Sequence, residues 1–99
     1  MEIIWTKPAK KDLRKIFHYY KSKVNVILAG KITDSILSSI EILKTHNIGT
    51  VEPFLEHMKQ DHRYIINGHN KIIYLVVNDN IYITHIFDTR QNPIKLNQN

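Results

Sequence analysis

The chain has 99 residues and no cysteine, so its size favours a single domain and its composition excludes disulfides and thiolate chemistry. No apolar stretch approaches the roughly 18 residues of a membrane span, and the start lacks the apolar run of a signal peptide, so we expect a cytoplasmic location and no membrane partner. The formal charge is +5, which favours an anionic partner, either nucleic acid or an acidic protein segment.

The first half of the chain predicts a short strand followed by two helices. Residues 2–5 are rich in strand-forming residues, and Thr6 with Pro8 signals the start of a helix over residues 8–21. Asn25 is the predicted cap of a second helix, which Gly49 is expected to stop. Gly30 inside that helix costs about 1 kcal/mol relative to Ala, which predicts a close approach to the first helix.

The second half predicts a β-meander after an irregular or partly extended connection over residues 50–61. Two β-rich runs, 63–66 and 71–77, are joined around Asn67-Gly68, which is typical of a hairpin, and a third run follows at 81–87. The run 72–77 is apolar on both alternations, as in a central strand covered on both faces. On the last strand, strict alternation places His85 with Ile81, Ile83 and Phe87.

These elements predict an α+β fold of order β-α-α-β-β-β, with two N-terminal helices packed on a mostly antiparallel four-stranded sheet. The first strand is expected at one edge, and the helical pair on one face. We expect a single domain over residues 1–96 and a frayed tail at 97–99.

Four segments carry a resemblance to a known family. They are IIWTKPAKKDLRKIFHYY (residues 3–20), the helix ending at Gly49, HRYIINGHNKIIYLV (62–76) and IYITHIFDTRQNP (81–93). In order, spacing and total length, the chain resembles the RelE/ParE superfamily of toxins, which belong to type II toxin–antitoxin systems and plasmid stabilization modules. The resemblance implies growth inhibition, and neutralisation by a cognate antitoxin in a toxin–antitoxin hetero-oligomer.

The resemblance leaves two mechanisms open. Members similar to RelE cleave messenger RNA on the ribosome, whereas members similar to ParE inhibit DNA gyrase, and a shared fold does not decide between them. Cleavage needs an acid, a base and cations around the phosphate. By resemblance to the RelE-like members, the candidates for these roles are Arg63, Lys71, Arg90 and Glu52.

The departures from the RelE-like pattern favour a noncatalytic, ParE-like toxin. No Tyr or His follows Arg90, and the loop holds Lys59 rather than a close pair of lysines. His85 is the remaining candidate acid or base, although its strand position suggests a core face. Residues for binding the target or the antitoxin are then Arg90, Arg63 and Lys59.

Simpler interpretations stand beside these assignments. Arg90 can pair with Asp88, and Glu52 can cap backbone amides. The basic residues of the first helix, Lys7, Lys10, Lys11, Arg14 and Lys15, are typical of a solvated face. The histidine spacing does not resemble a metal motif, so neither a metal nor another cofactor is expected. A nontoxic nucleic-acid-binding or scaffold domain is a further alternative.

Overall fold

The computed structural model describes residues 2–46, 49–51 and 62–90. The elements are β1 (Ile3–Trp5), α1 (Lys7–Lys23), α2 (Val26–Ile42), β2 (Thr50–Val51), β3 (His62–Asn67), β4 (Asn70–Val77) and β5 (Asn80–Asp88). The strands form one sheet in the order β1-β5-β4-β3-β2, in which β1 runs parallel to β5 and the other pairs are antiparallel. The predicted architecture is confirmed, and the two-residue strand β2 extends it at one edge, within the segment predicted to be partly extended.

Local capping determines where both helices begin. The Thr6 hydroxyl accepts a hydrogen bond of 3.4 Å from the Ala9 N–H, and the Asn25 side chain accepts one of 2.8 Å from the Leu28 N–H. Each cap satisfies a backbone donor that the first helical turn leaves without a partner. Both predicted helix starts are confirmed.

The predicted end of the second helix was wrong. The helix ends at Ile42 rather than near Gly49, and Leu43 is its C-cap. The Ile42 carbonyl accepts hydrogen bonds from the N–H groups of Thr45 and His46 and from the Thr45 hydroxyl. A hydroxyl that competes for a backbone carbonyl favours a turn over continued helix.

The two hairpins of the meander use different turns. Between β3 and β4, Gly68 has a φ of +59° at the first central position, as a type II′ turn requires. Between β4 and β5, Asn78 and Asp79 both have positive φ, at 50° and 65°, which is the pattern of a type I′ turn. Asn and Asp tolerate this region better than other non-glycine residues. Both turns lie where the sequence predicted them.

The main core lies between the helical pair and one face of the sheet. Its side chains are buried aliphatic residues with one tyrosine, and they are Ala9, Ile36, Ile40, Leu43, Ile72, Tyr74, Ile81, Ile83 and Ile86. On the opposite face, Ile73 and Phe87 form a second buried cluster with Tyr64 packed against it. Strand β4 is therefore buried on both faces, as its sequence predicted.

A β-bulge changes the alternation of β5. Ile73 pairs with His85 whereas Tyr74 pairs with Ile83, so Thr84 is an extra residue in β5. An extra residue reverses which side chains face the core. The predicted grouping of His85 with Ile81 and Ile83 was therefore wrong, because Ile86 takes the position facing the helices.

Two further observations concern the helices. A Cβ built on Gly30 would meet no atom within 4 Å, so the predicted close approach of the first helix at this glycine was wrong. The helices instead meet through larger side chains, since Leu13, Ile16 and Ile32 pack against the core.

Within the described residues, no helix has the length and apolar character needed to cross a membrane.

Candidate functional site

Arg90 lies immediately after β5, where it is held by Asp88. Its guanidinium donates to both carboxylate oxygens, at 2.9 Å from Nε and 2.6 Å from Nη2, and its backbone N–H donates to the same carboxylate at 2.9 Å. This bidentate contact lowers the pKa of Asp88 and raises the pKa of Arg90, with a smaller contribution to Arg90 from the Tyr20 hydroxyl of α1. Arg90 is exposed, so a partner can reach it while the pair fixes its direction.

Arg63, on β3, is directed to the edge of the sheet near β2. Its guanidinium donates to the Gly49 carbonyl at 3.3 Å, and the Gly49 N–H donates to the Tyr74 hydroxyl at 2.9 Å. A Cβ on Gly49 would lie 2.7 Å from Cε1 and Cζ of the Tyr74 ring, so only glycine fits there without displacement. Arg63 and Tyr74 together hold the segment that leads into β2.

Lys71 is on the opposite face of the sheet from Arg63. Its ammonium group lies 4.4 Å from the centre of the Tyr64 ring, which is cation–π geometry. Tyr64 in turn packs against the second buried cluster. Lys71 thus belongs to the face that α1 and α2 do not cover.

The structure does not bring these three candidate cations together. Arg63 and Lys71 belong to different faces, and Arg90 follows the end of β5 that pairs with Asn70. Asn70 pairs with Asn67 on its other side, so Asn67 marks the end of the sheet near Arg90. Arg63 is four residues from Asn67 on β3, which is about 13 Å along the strand. The remaining predicted site residues, Glu52 and Lys59, lie outside the described residues.

Two titratable side chains that meet at the β5 bulge are partly buried. Asp12 of α1 accepts a hydrogen bond of 3.0 Å from the Ile86 N–H, and burial raises its pKa despite this bond. Burial lowers the pKa of His85, although the nearby Asp12 charge opposes the change. The His85 Nδ1 is 3.1 Å from the Thr84 hydroxyl. In the part of the chain described, no three His, Asp or Glu side chains converge as metal ligands would.

The predicted basic residues of the first helix are all exposed on α1. Lys7, Lys10, Lys11 and Arg14 line an open depression together with Pro8. No acidic residue occupies the first turn of this helix.

The turn between α1 and α2 exposes an apolar patch that sequence reasoning missed. Val24, Val26 and Ile27 are 56%, 54% and 69% exposed, although they are aliphatic. The available signal was three aliphatic residues on both sides of the capping Asn25. Contiguous exposed aliphatic side chains are typical of an interaction surface.

A family model decides the relationship of this chain to known proteins. The model of the ParE toxin of type II toxin–antitoxin systems, parDE, matches residues 3–93. The chain belongs to this family. It is therefore a ParE toxin of a type II system, and membership implies a cognate antitoxin as its partner.

The fold of this ParE toxin is also similar to a solved structure. A chain described as "Chromosomal ParDE TA system from P. aeruginosa" aligns with a TM-score of 0.75 and 22% sequence identity, covering 89% of this chain and 95% of that one. A comparison of the sequence with curated proteins found no match. The structural likeness confirms the predicted arrangement of two helices on a mostly antiparallel sheet.

Proposed function

We propose that this ParE toxin binds DNA gyrase and blocks supercoiling without catalysing a reaction, and that a ParD-type antitoxin relieves the block. The family match over residues 3–93 carries the proposal. The separation of Arg63 from both Lys71 and Arg90 supports it, because cleavage of RNA needs an acid, a base and cations within hydrogen-bond reach of one phosphate. Binding a protein target makes no such demand.

Arg90 is the residue we assign to contact with the target. The Asp88 carboxylate limits the directions that its guanidinium can take, at distances of 2.6 to 2.9 Å. A guanidinium fixed before binding loses less conformational entropy when a partner binds, and arginine is enriched among residues that dominate interfaces. The Tyr20 side chain of α1 also acts on this guanidinium and contributes to its raised pKa.

The test combines an assay in vitro with one in cells. Purified gyrase should lose supercoiling activity on a relaxed plasmid when the toxin is added, and after induction of the toxin in cells growth should stop while primer extension finds translated messages intact. Cleaved messages with normal supercoiling would contradict the proposal and support the ribosome-dependent nuclease instead. Absence of growth arrest would contradict an active toxin of either kind.

Matched variants test the role of Arg90. Arg90→Ala should reduce inhibition of gyrase about 10-fold or more, since arginines that dominate an interface contribute about 2 kcal/mol or more. Lys44→Ala is the control, because Lys44 also forms an exposed ion pair, with Glu41 at 3.1 Å on α2. Equal effects of the two substitutions would contradict a specific contact through Arg90.

The proposed position of the antitoxin rests on the apolar patch of Val24, Val26 and Ile27 at the turn between the helices. An antitoxin segment that covers the helical pair would bury these side chains, which gains roughly 25 cal/mol for each Å² of apolar surface. The net positive charge of the toxin would speed association with an acidic segment at low salt. The proposed complex is a hetero-oligomer of toxin and antitoxin.

A further inference from the structure

The net positive charge of this toxin is confined to one helix. Of the 14 Lys and Arg residues seven lie in α1, and of the nine Asp and Glu residues only Asp12 does. Helix α1 therefore carries a formal charge of +6, while the rest of the chain carries −1. The Asp12 carboxylate is directed toward β5 and bonds to the Ile86 N–H, and the charges of Lys15 and Lys11 act on it only as minor causes that oppose the raised pKa.

Five of the basic side chains form a continuous line along α1. They are Lys7, Lys11, Arg14, His18 and Lys21, all exposed, and we call this line the basic stripe. Their spacings of four and three residues keep them within an arc of about 80° on a helix of 3.6 residues per turn. Over 14 residues the line extends for about 21 Å.

Most of this arrangement does not stabilise the fold. Like charges three and four residues apart repel one another, and Lys7 in the first turn opposes the helix dipole, whereas Lys21 in the last turn is favoured by it. None of the five side chains forms an ion pair with a residue that the structure describes. On α2, by contrast, the exposed charges have mixed signs, with Lys31, Asp34 and Glu41.

The chemistry of the stripe matches a phosphate backbone better than a protein. A protein interface has an apolar centre, yet no large exposed apolar residue of the described chain lies on the stripe. Single-stranded nucleic acid is bound largely through aromatic side chains that stack on the bases, and the stripe has no Phe, Trp or Tyr and a single imidazole, His18. About 21 Å of duplex DNA carries about 12 phosphate charges, distributed over its two strands.

We propose that the basic stripe of α1 binds the phosphate backbone of double-stranded DNA without reading its sequence. The side chains involved supply charge and hydrogen-bond donors only, which position a protein on DNA and do not specify bases. The inference does not depend on the proposed target, since DNA binding is measured with the purified toxin alone. If gyrase is the target, the stripe would face the DNA that the enzyme holds.

The test measures binding of the full-length toxin to a fluorescent 20-base-pair duplex at several salt concentrations. With four Lys and Arg contacts, log K should fall with log[salt] with a slope of about −3.6, which weakens binding about 150-fold between 50 and 200 mM salt. The triple variant Lys11→Gln, Arg14→Gln, Lys21→Gln should have a slope of about −0.9 and lose only about fourfold over the same range.

The control variant removes the same amount of charge elsewhere. Lys23→Gln, Lys31→Gln, Lys44→Gln should keep the slope near −3.6, because none of the three residues is on the stripe. Circular dichroism melting should show both triple variants folded, since Gln is about as good a helix former as Lys.

Three outcomes would overturn the proposal. The first is the absence of DNA binding by the unmodified toxin, and the second is an equal loss of slope in both triple variants, which would indicate a general effect of net charge. The third is a stripe variant that keeps its slope on DNA but loses affinity for the antitoxin, which would identify an acidic protein segment as the partner.

Discussion

The carboxylate of Asp12 accepts a hydrogen bond from the backbone N–H of Ile86, 74 residues away, at 3.0 Å. Strand β1 pairs with β5 only from Ile81 to Ile83, and the Thr6 hydroxyl continues the contact to the carbonyls of Ile83 and Thr84. Beyond that point Asp12 supplies the acceptor that β1 no longer provides. Helix α1 thus completes the hydrogen bonding of the strand edge.

Two substitutions of Asp12 separate the effect of its hydrogen bond on stability from the effect of its buried charge. Asp12→Ala leaves a partly buried N–H without its acceptor and should lower the free energy of unfolding by about 1–3 kcal/mol. Asp12→Asn keeps an acceptor oxygen and removes the buried charge. Urea unfolding followed by circular dichroism measures both, and a loss as large for Asn as for Ala would contradict the hydrogen-bond argument.

The pH dependence of the Asp12→Asn effect follows from the raised pKa of Asp12. The native state binds this proton more tightly than the unfolded state, so the contribution of Asp12 to stability falls as pH rises from 3.8 through its native pKa. Relative to the unmodified protein, Asp12→Asn should therefore gain stability over that interval. If the stability gained by Asp12→Asn instead increases toward lower pH, burial is not the main influence on the pKa of Asp12.

His85 has the opposite dependence. Its native pKa lies below the ordinary value of 6.5 because of burial, so the unfolded state binds the proton more tightly. Stability should fall as pH decreases from 6.5 through the native pKa of His85, with the nearby groups Asp12 and His62 modifying the change. His85→Gln should remove this component, while His18→Gln on the exposed face of α1 should not. Thermal melts between pH 4 and 8 compare them.

The two glycines Gly30 and Gly49 should respond in opposite directions to the same substitution. Gly30→Ala meets no atom within 4 Å and should raise the free energy of unfolding by about 0.5–1 kcal/mol, since alanine favours helix. Gly49→Ala places its Cβ 2.7 Å from the Tyr74 ring and should lower stability by about 1–3 kcal/mol. Chemical unfolding of the pair checks both, and destabilisation by Gly30→Ala would indicate a contact at that position.

The apolar patch at the turn between the helices should contribute to binding of the antitoxin. Ile27→Ser should raise the Kd of the toxin–antitoxin complex about 10- to 100-fold, because burial of an isoleucine side chain contributes about 1.5–3 kcal/mol. The control is Ile66→Ser on β3, which is 54% exposed on the other face of the sheet. Calorimetric titration compares the two, and an equal weakening would contradict a localised contact at Ile27.

Features that depend on neighbouring residues could be predicted from the sequence. The caps at Thr6 and Asn25 act on backbone groups three residues ahead, and the turn at Gly68 depends on one backbone conformation. The bulge at Thr84 could not be predicted, because it depends on how β4 and β5 pair across the sheet. The role of Gly49 depends on Tyr74, which is 25 residues away, and its sequence context suggested only a helix end.

The candidate site also has features that could be predicted from the sequence and features that could not. The pairing of Arg90 with Asp88, two residues apart, was one of the two interpretations available from the sequence, and the structure contains it. That Arg63 and Lys71 lie on opposite faces depends on the alternation of two paired strands. The basic stripe of α1 follows from helical spacing alone, whereas the direction of the Asp12 carboxylate toward β5 could be seen only in the structure.

The parallel pairing of β1 with β5 joins residues 3–5 to residues 81–83. During synthesis, β1 therefore emerges long before its partner β5 exists, and this edge of the sheet cannot form until residues 81–83 have been made. Contacts so distant in sequence form late and slowly in folding. The position of α1 against β5, which the hydrogen bond between Asp12 and Ile86 holds, therefore depends on contacts that we expect to form late in folding.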